Sequence, residues 1–242
     1  MFKIIFISAS LHILCFPIWL HSSECEISAK KFHAPQFLTK ISKEIQIPKN
    51  MPRFVNFGKN YRNDNISRAY RVAAYYHRDQ VRKFDKTPYM HHPVRVAKIL
   101  SELNVDADTI KAALLHDVLE DTGIGEAEIK NYFGEKILLL VKYVTANAEE
   151  LARLGKQEYW NKKIKEMPLD ALLIKLADRW DNTRDFSTHN ISFIKKYLPQ
   201  GQGLVESALL RDDLTAQHHH LITKIKNNLK RGQEILLRTS TI

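Results

Sequence analysis

The stretch LLHDVLEDTG, residues 114–123, sets His116, Asp117, Glu120 and Asp121 within six residues, directly after an apolar run. Carboxylates beside a core are costly unless something cationic sits against them. At helical spacing, residues four apart share a face, so His116 falls beside Glu120 and Asp117 beside Asp121. About one and a half turns would then present an imidazole and three carboxylates around a common ridge. Two of these can ligate a metal ion while the other two stand a turn further along, where water would be handled. Imidazole nitrogen with carboxylate oxygen and no thiol suits Mn²⁺, Fe²⁺ or Zn²⁺ better than Ca²⁺ or a structural zinc.

Two more patches supply partners. KLADRWDN places Asp178 after the apolar run ALLIKLA, and PYMHHPVRVA places His92 at the start of a helix. Taken singly, His92 reads as a satisfied helix-start histidine, and Asp178 as a surface partner of Arg179 or Lys175. Three such groups on three helices, each flanked by core residues, point instead to one metal site. The run His218–His220 has no carboxylate partner at helical spacing and is expected at the surface.

The elements that must position these groups are helical. Ala69, Val72, Ala73 and Tyr76 form one apolar stripe at i, i+3, i+4, i+7. FDKTPYM is a loop, and Pro93 lies in the first turn of the next helix. NVDADTIKAALLHDVLEDTG predicts one helix capped by Asp106 or Asp108 and stopped at Gly123. A short helix, a break at Gly134 and a second helix follow. Pro168 opens another helix that turns Leu172, Leu173, Leu176 and Trp180 inward. The basic amphipathic end, with Lys224 to Arg231, is expected to show water a solvated face. No hairpin signal, repeat or low-complexity tract appears, so the fold class is all-α.

The chain has 242 residues, 44% of them hydrophobic and 26% charged, enough for one well-buried domain. Two cysteines exclude a disulfide framework and a cysteine-based zinc site. The formal charge of +10 favours anionic partners without choosing among them. No run of basic residues interleaved with aromatics is present, so nucleic acid is not expected. Residues 1–25 follow the order of a secretory signal peptide: Lys3, an apolar stretch from Ile4 to Leu20, then a small polar patch. A cleaved signal would make the protein periplasmic or secreted, and no stable membrane span is expected after processing. An uncleaved anchor, or a cytoplasmic chain starting at Met51, are the other readings. Residues 26–65 form a loose lead-in with Pro35, Pro48 and Pro52, and residues 66–242 the catalytic domain.

The block Ala69 to Phe186 resembles the hydrolase domain of the RelA/SpoT alarmone enzymes, within the HD phosphohydrolase superfamily. The matching motifs are Gln80-Val81-Arg82-Lys83, PYMHHP with a following VA, ALLHDVLEDT, YFG, VKYVT and KLADRWDN. The resemblance implies an HD-type helical bundle whose metal ligands are His92, His116, Asp117 and Asp178, with His91 left out. It implies a divalent metal, foremost Mn²⁺, and roles for Glu120 and Asp121 on the water. It also implies that Asn182 contacts the sugar or phosphate, and that Arg82 and Lys83 cover base and phosphates, jobs that suit a guanidinium. The implied reaction is release of pyrophosphate from the 3′ position of guanosine 3′,5′-bis(diphosphate) by a stand-alone small hydrolase. The alternative is an HD phosphatase acting on NADPH or another phosphorylated nucleotide; a metal-free nucleotide-binding module is a third class. Two departures bear on substrate identity. Asp181 stands where the family commonly has histidine or tyrosine, and Asp85 and Lys86 stand where a glycine turn is usual.

Overall fold

The computed structural model describes residues 51, 52, 54, 57, 63–82, 86–187 and 190–240. The apolar leader 1–25, most of the lead-in 26–65, and Lys83 and Asp85 lie outside the described residues. Among the described residues the order is α1 Asn63–Tyr76, α2 His91–Glu102, α3 Ala107–Leu114, α4 Val118–Asp121, α5 Glu126–Phe133 and α6 Glu135–Val144. Then come α7 Ala148–Leu154, α8 Lys156–Glu166, α9 Leu169–Arg184, α10 Ile191–Leu209 and α11 Ala216–Ser240. The β pairing described is one isolated bridge between Val81 and Pro88, which pins the loop ahead of α2.

The bundle is organised around α9. Its residues Ala171 to Ile174, Leu176 and Ala177 are all buried, which makes the helix apolar nearly all round. Such a helix is stable only when it is covered on every side. It packs against α2, α3, α6, α10 and α11. α11 lays Leu221, Ile222, Ile225 and Leu229 against this core and leaves Lys224, Lys226, Lys230 and Arg231 exposed, as its amphipathic pattern predicts. The apolar stripe of α1 is buried at Ala69, Val72 and Ala73. The lead-in is less loose at its end than its composition suggests, because Met51 and Phe57 are buried in the same core.

The sequence predicts one helix over residues 104–122, and the structure breaks it. α3 ends at Leu114, and α4 begins only at Val118. The physical cause is His116, whose Nδ1 donates to the Ala113 carbonyl at 2.8 Å. A continuous helix would leave that carbonyl to the backbone N–H of residue 117. The break at Gly134 is as expected: its φ of +86° with ψ of 172° is a conformation that glycine alone adopts without strain. A second correction concerns the histidine run. His218 is fully buried, with Nε2 3.0 Å from the Leu169 carbonyl and Nδ1 2.7 Å from Thr215 Oγ1. It ties α11 to the start of α9, whereas His219 and His220 are exposed.

Of the two candidate caps for α3, Asp106 is the one used. Its Oδ1 accepts the backbone N–H groups of Asp108 at 2.6 Å and Thr109 at 3.0 Å. Replacing Asp106 by Ala removes both bonds and should cost about 1 kcal/mol. In a domain of this size that lowers Tm by about 2–4 °C in a thermal melt. An unchanged Tm would mean that the cap does not hold α3.

Candidate metal centre and its cleft

Two helices and the α3–α4 break converge on one floor. α2 delivers His92 from its first turn, the break delivers His116 and Asp117, and α9 delivers Asp178. His92, His116 and Asp178 each offer a ligand atom within 4.8 Å of the others. Asp117 joins them, with Oδ2 3.0 Å from His116 Nε2 and 3.7 Å from His92 Nε2. His92 Nε2 also lies 3.2 Å from Asp178 Oδ1. The four residues predicted as ligands are therefore brought together.

The donor set fits a divalent cation. Because His116 Nδ1 is committed to the Ala113 carbonyl, Nε2 is the nitrogen presented to the floor. That Nε2 is buried, with Asp117 Oδ2 at 3.0 Å. Burial opposes charging both imidazoles, yet the hydrogen bonds His92 donates to Asp178 and Asp181 carry it well above the ordinary imidazole value. Burial is likewise overcome at His116 by the charge and hydrogen bond of Asp117. The same pairings hold Asp117 and Asp178 far below the usual carboxylate range against the pull of burial. Carboxylates that draw protons onto neighbouring imidazoles are where a cation binds by displacing those protons.

Around the floor opens a cleft of about 960 Å³. Glu120 and Asp121, one turn beyond the break, both line it. Glu120 Oε2 accepts the Ala146 backbone N–H at 3.2 Å. Tyr89, a residue the sequence did not single out, bridges the two acidic positions. Its hydroxyl donates to Asp117 Oδ2 at 2.5 Å and lies 3.1 Å from Asp121 Oδ2. Burial and then the nearby Asp117 charge raise the Asp121 carboxyl above its usual value.

The cleft also carries cationic groups. Arg179, Lys156, Lys175 and Lys196 all line the cleft. Arg179 is 8% exposed, stacks over the Tyr197 ring at 5.3 Å, and has Nε and Nη1 without hydrogen-bond partners. Burial, then the neighbouring charges of Arg179, Lys196 and Lys175, lower the Lys156 ammonium below its ordinary pKa. Such a crowd of cations is short of negative charge.

The residues expected to touch substrate divide. Asn182 lines the cleft, but its Nδ2 donates to Asp178 Oδ1 at 2.5 Å, so it steadies a ligand. Arg82 lines the cleft and is buried, with Nη1 3.8 Å from Asp181 and Nη2 3.6 Å from Asp185. Asp178, weighed in the sequence as a surface partner of Lys175, is buried, with Lys175 Nζ 3.6 Å away. Asp181, which looked like an extra charge facing a polyphosphate, is fully buried and does not line the cleft. It is gripped by Arg95 at 2.7 and 2.8 Å. Arg95 carried a weak signal: it lies three residues after His92 on the same helix face.

A family model described as an HD domain matches residues 69–197. The guanosine-3′,5′-bis(diphosphate) 3′-pyrophosphohydrolase of Aquifex aeolicus is 42% identical over 123 residues, which cover 50% of this chain and 18% of that protein. The bifunctional (p)ppGpp synthase/hydrolase SpoT of Escherichia coli is 40% identical over 124 residues, covering 49% and 18%. The chain thus spans less than a fifth of the length of these curated relatives. A solved structure, described as a metazoan ortholog of SpoT that hydrolyzes ppGpp and plays a role in starvation responses, superposes with a TM-score of 0.61 at 28% identity. That superposition covers 71% of this chain and 97% of the other.

Divalent metal at a hundred times its Kd should raise stability by about 2.7 kcal/mol. Thermal melts of the full chain with and without chelator check this, and Asp178→Asn should remove the increment. An increment that survives in the variant would place the ion elsewhere.

Proposed function

The chain belongs to the HD-domain family, and from that premise we propose that it is a metal-dependent phosphohydrolase releasing pyrophosphate from the 3′ position of guanosine 3′,5′-bis(diphosphate). The observation that carries this reading is one cleft lined by His92, Asp117 and Asp178, by Glu120 and Asp121, and by Arg179, Lys156, Lys175 and Lys196. The named activities of the relatives and of the solved neighbour support the same chemistry. Mn²⁺ is the metal of choice, since the donors are two imidazoles and two carboxylates without thiol.

His92, His116, Asp117 and Asp178 would hold the ion, which supplies Lewis acidity to a phosphoryl oxygen and to water. The rest falls to the protein. Glu120, fixed by the Ala146 N–H, and Asp121, fixed by Tyr89, orient the attacking water and accept its proton. The ammonium and guanidinium groups of the cleft hold the nucleotide's phosphates and offset charge as it builds on the phosphoryl oxygens. Burial of Arg179 against Tyr197 presets its guanidinium, so little ordering is needed on binding. Gln80 Nε2 donates to the Asp121 carbonyl at 2.6 Å and so braces the end of α4 under the water-handling pair.

The test is product release from ppGpp and from NADPH by the full chain with Mn²⁺, against Asp117→Ala. Pyrophosphate from ppGpp that disappears in the variant is the expected result. Orthophosphate from NADPH alone would move the assignment to a nucleotide phosphatase. Metal binding without product from either would overturn the hydrolase reading. Within the expected outcome, Lys156→Ala should raise KM roughly tenfold and leave kcat within a few-fold, the mark of a contact made equally in ground and transition states.

A further inference from the structure

The two imidazoles of the floor are oriented by different means. His116 uses the backbone, giving Nδ1 to the carbonyl three residues earlier. At His92 the carbonyl three residues earlier, on Tyr89, accepts the backbone N–H of His92 at 2.9 Å. Its Nδ1 is met instead by Asp181 Oδ2 at 2.7 Å. Asp181 is fully buried and lies one turn after Asp178 on α9, so a single helix addresses both nitrogens of one ring.

Asp181 is itself held. Arg95, one turn after His92 on α2, donates from Nε to Oδ1 at 2.7 Å and from Nη2 to Oδ2 at 2.8 Å. This is the two-pronged guanidinium–carboxylate geometry that fixes both partners. Arg82 Nη1 at 3.8 Å and Arg184 Nη1 at 3.7 Å add positive charge around the same carboxylate. This carboxylate does not line the cleft.

We propose that Asp181 is the positioning residue of the metal centre: clamped by Arg95, it accepts a hydrogen bond from the Nδ1–H of His92 and so commits Nε2 of that ring to the metal. The geometry gives α9 a double role, supplying one ligand, Asp178, directly and orienting another through Asp181. Carboxylates behind ligating histidines fix the ring and its tautomer, and losing one typically weakens metal binding about 10- to 100-fold. A purely structural Asp181–Arg95 ion pair would stabilise the fold but leave metal affinity alone. This inference rests on the metal-centre reading above.

Titration calorimetry of the full, chelator-treated chain with Mn²⁺ separates the two. Asp181→Leu should raise the Mn²⁺ Kd about 10- to 100-fold. Because that change leaves Arg95 unpaired, the same titration is made on Asp181→Leu/Arg95→Met, which removes both charges and keeps the fold accessible. A Kd within twofold of wild type in either folded variant would overturn the proposal. Independently of any variant, nitrogen-15 spectra of the Zn²⁺-loaded wild type should show the His92 proton on Nδ1; a proton on Nε2 would overturn it too. Wild-type protein that binds neither Mn²⁺ nor Zn²⁺ would sink the metal centre itself and this inference with it.

Discussion

His92 lies between Asp178 and Asp181, two carboxylates on successive turns of a helix that is covered on every side. Asp181 also sits in the last turn of α9, where the helix dipole presents negative charge. Removing two carboxylates from water in such a place is expensive, and it is sustained only by close, well-directed partners. The imidazole of His92 serves both acids, Arg95 completes Asp181, and Lys175 and Asn182 complete Asp178. α2 and α9 are therefore held in register by charge as well as by apolar packing. The apolar half of α9, residues 171–177, anchors the helix so that the acidic half can be placed in the site.

The break between α3 and α4 solves the same problem from the other side. In a straight helix, His116 and Asp117 would point about 100° apart, a separation set by 3.6 residues per turn. By diverting the Ala113 carbonyl to its own ring, His116 lets the chain turn, and Asp117 Oδ2 comes within 3.0 Å of His116 Nε2. α4 then resumes for one turn, enough to set Glu120 and Asp121 on the cleft wall. Tyr89 and Gln80, from the segment just before α2, close this arrangement by bonding to Asp117 and Asp121.

The all-α class, the stop at Gly134, the inward face of α9 and the four floor residues were legible in the sequence because each rests on local spacing or on a motif. What was not legible depends on contacts between distant segments. The helix break has no glycine or proline to announce it; its cause is a side chain competing for a carbonyl. His218 looked like surface because only the sequence-distant Leu169 carbonyl gives its ring a reason to be buried. Asp181 looked like a misplaced charge because Arg95 lies 86 residues away and pairs with it only after α2 meets α9. Asn182, expected at the substrate, lines the cleft, and its bond to Asp178 could not be read from local spacing. In each case residue type gave the chemistry correctly and the folded neighbourhood decided the partner.

The distribution of charge within the cleft constrains the order in which it can be filled. Four carboxylates, Asp117, Glu120, Asp121 and Asp178, crowd its floor and near wall, and a phosphate approaching them alone would be repelled. The cations of the cleft are in the converse position: Lys156 sheds affinity for its proton because it is partly buried and because Arg179, Lys196 and Lys175 stand around it. Carboxylates and cations that line one cleft, in contact where Lys175 Nζ lies 3.6 Å from Asp178 Oδ2, make a site that one kind of ion does not satisfy. A cation neutralises the floor and removes the barrier to an anion, and a polyanion long enough to reach the cations relieves the repulsion among them. Metal and phosphorylated ligand are thereby coupled through the field of the cleft, each lowering the cost of binding the other.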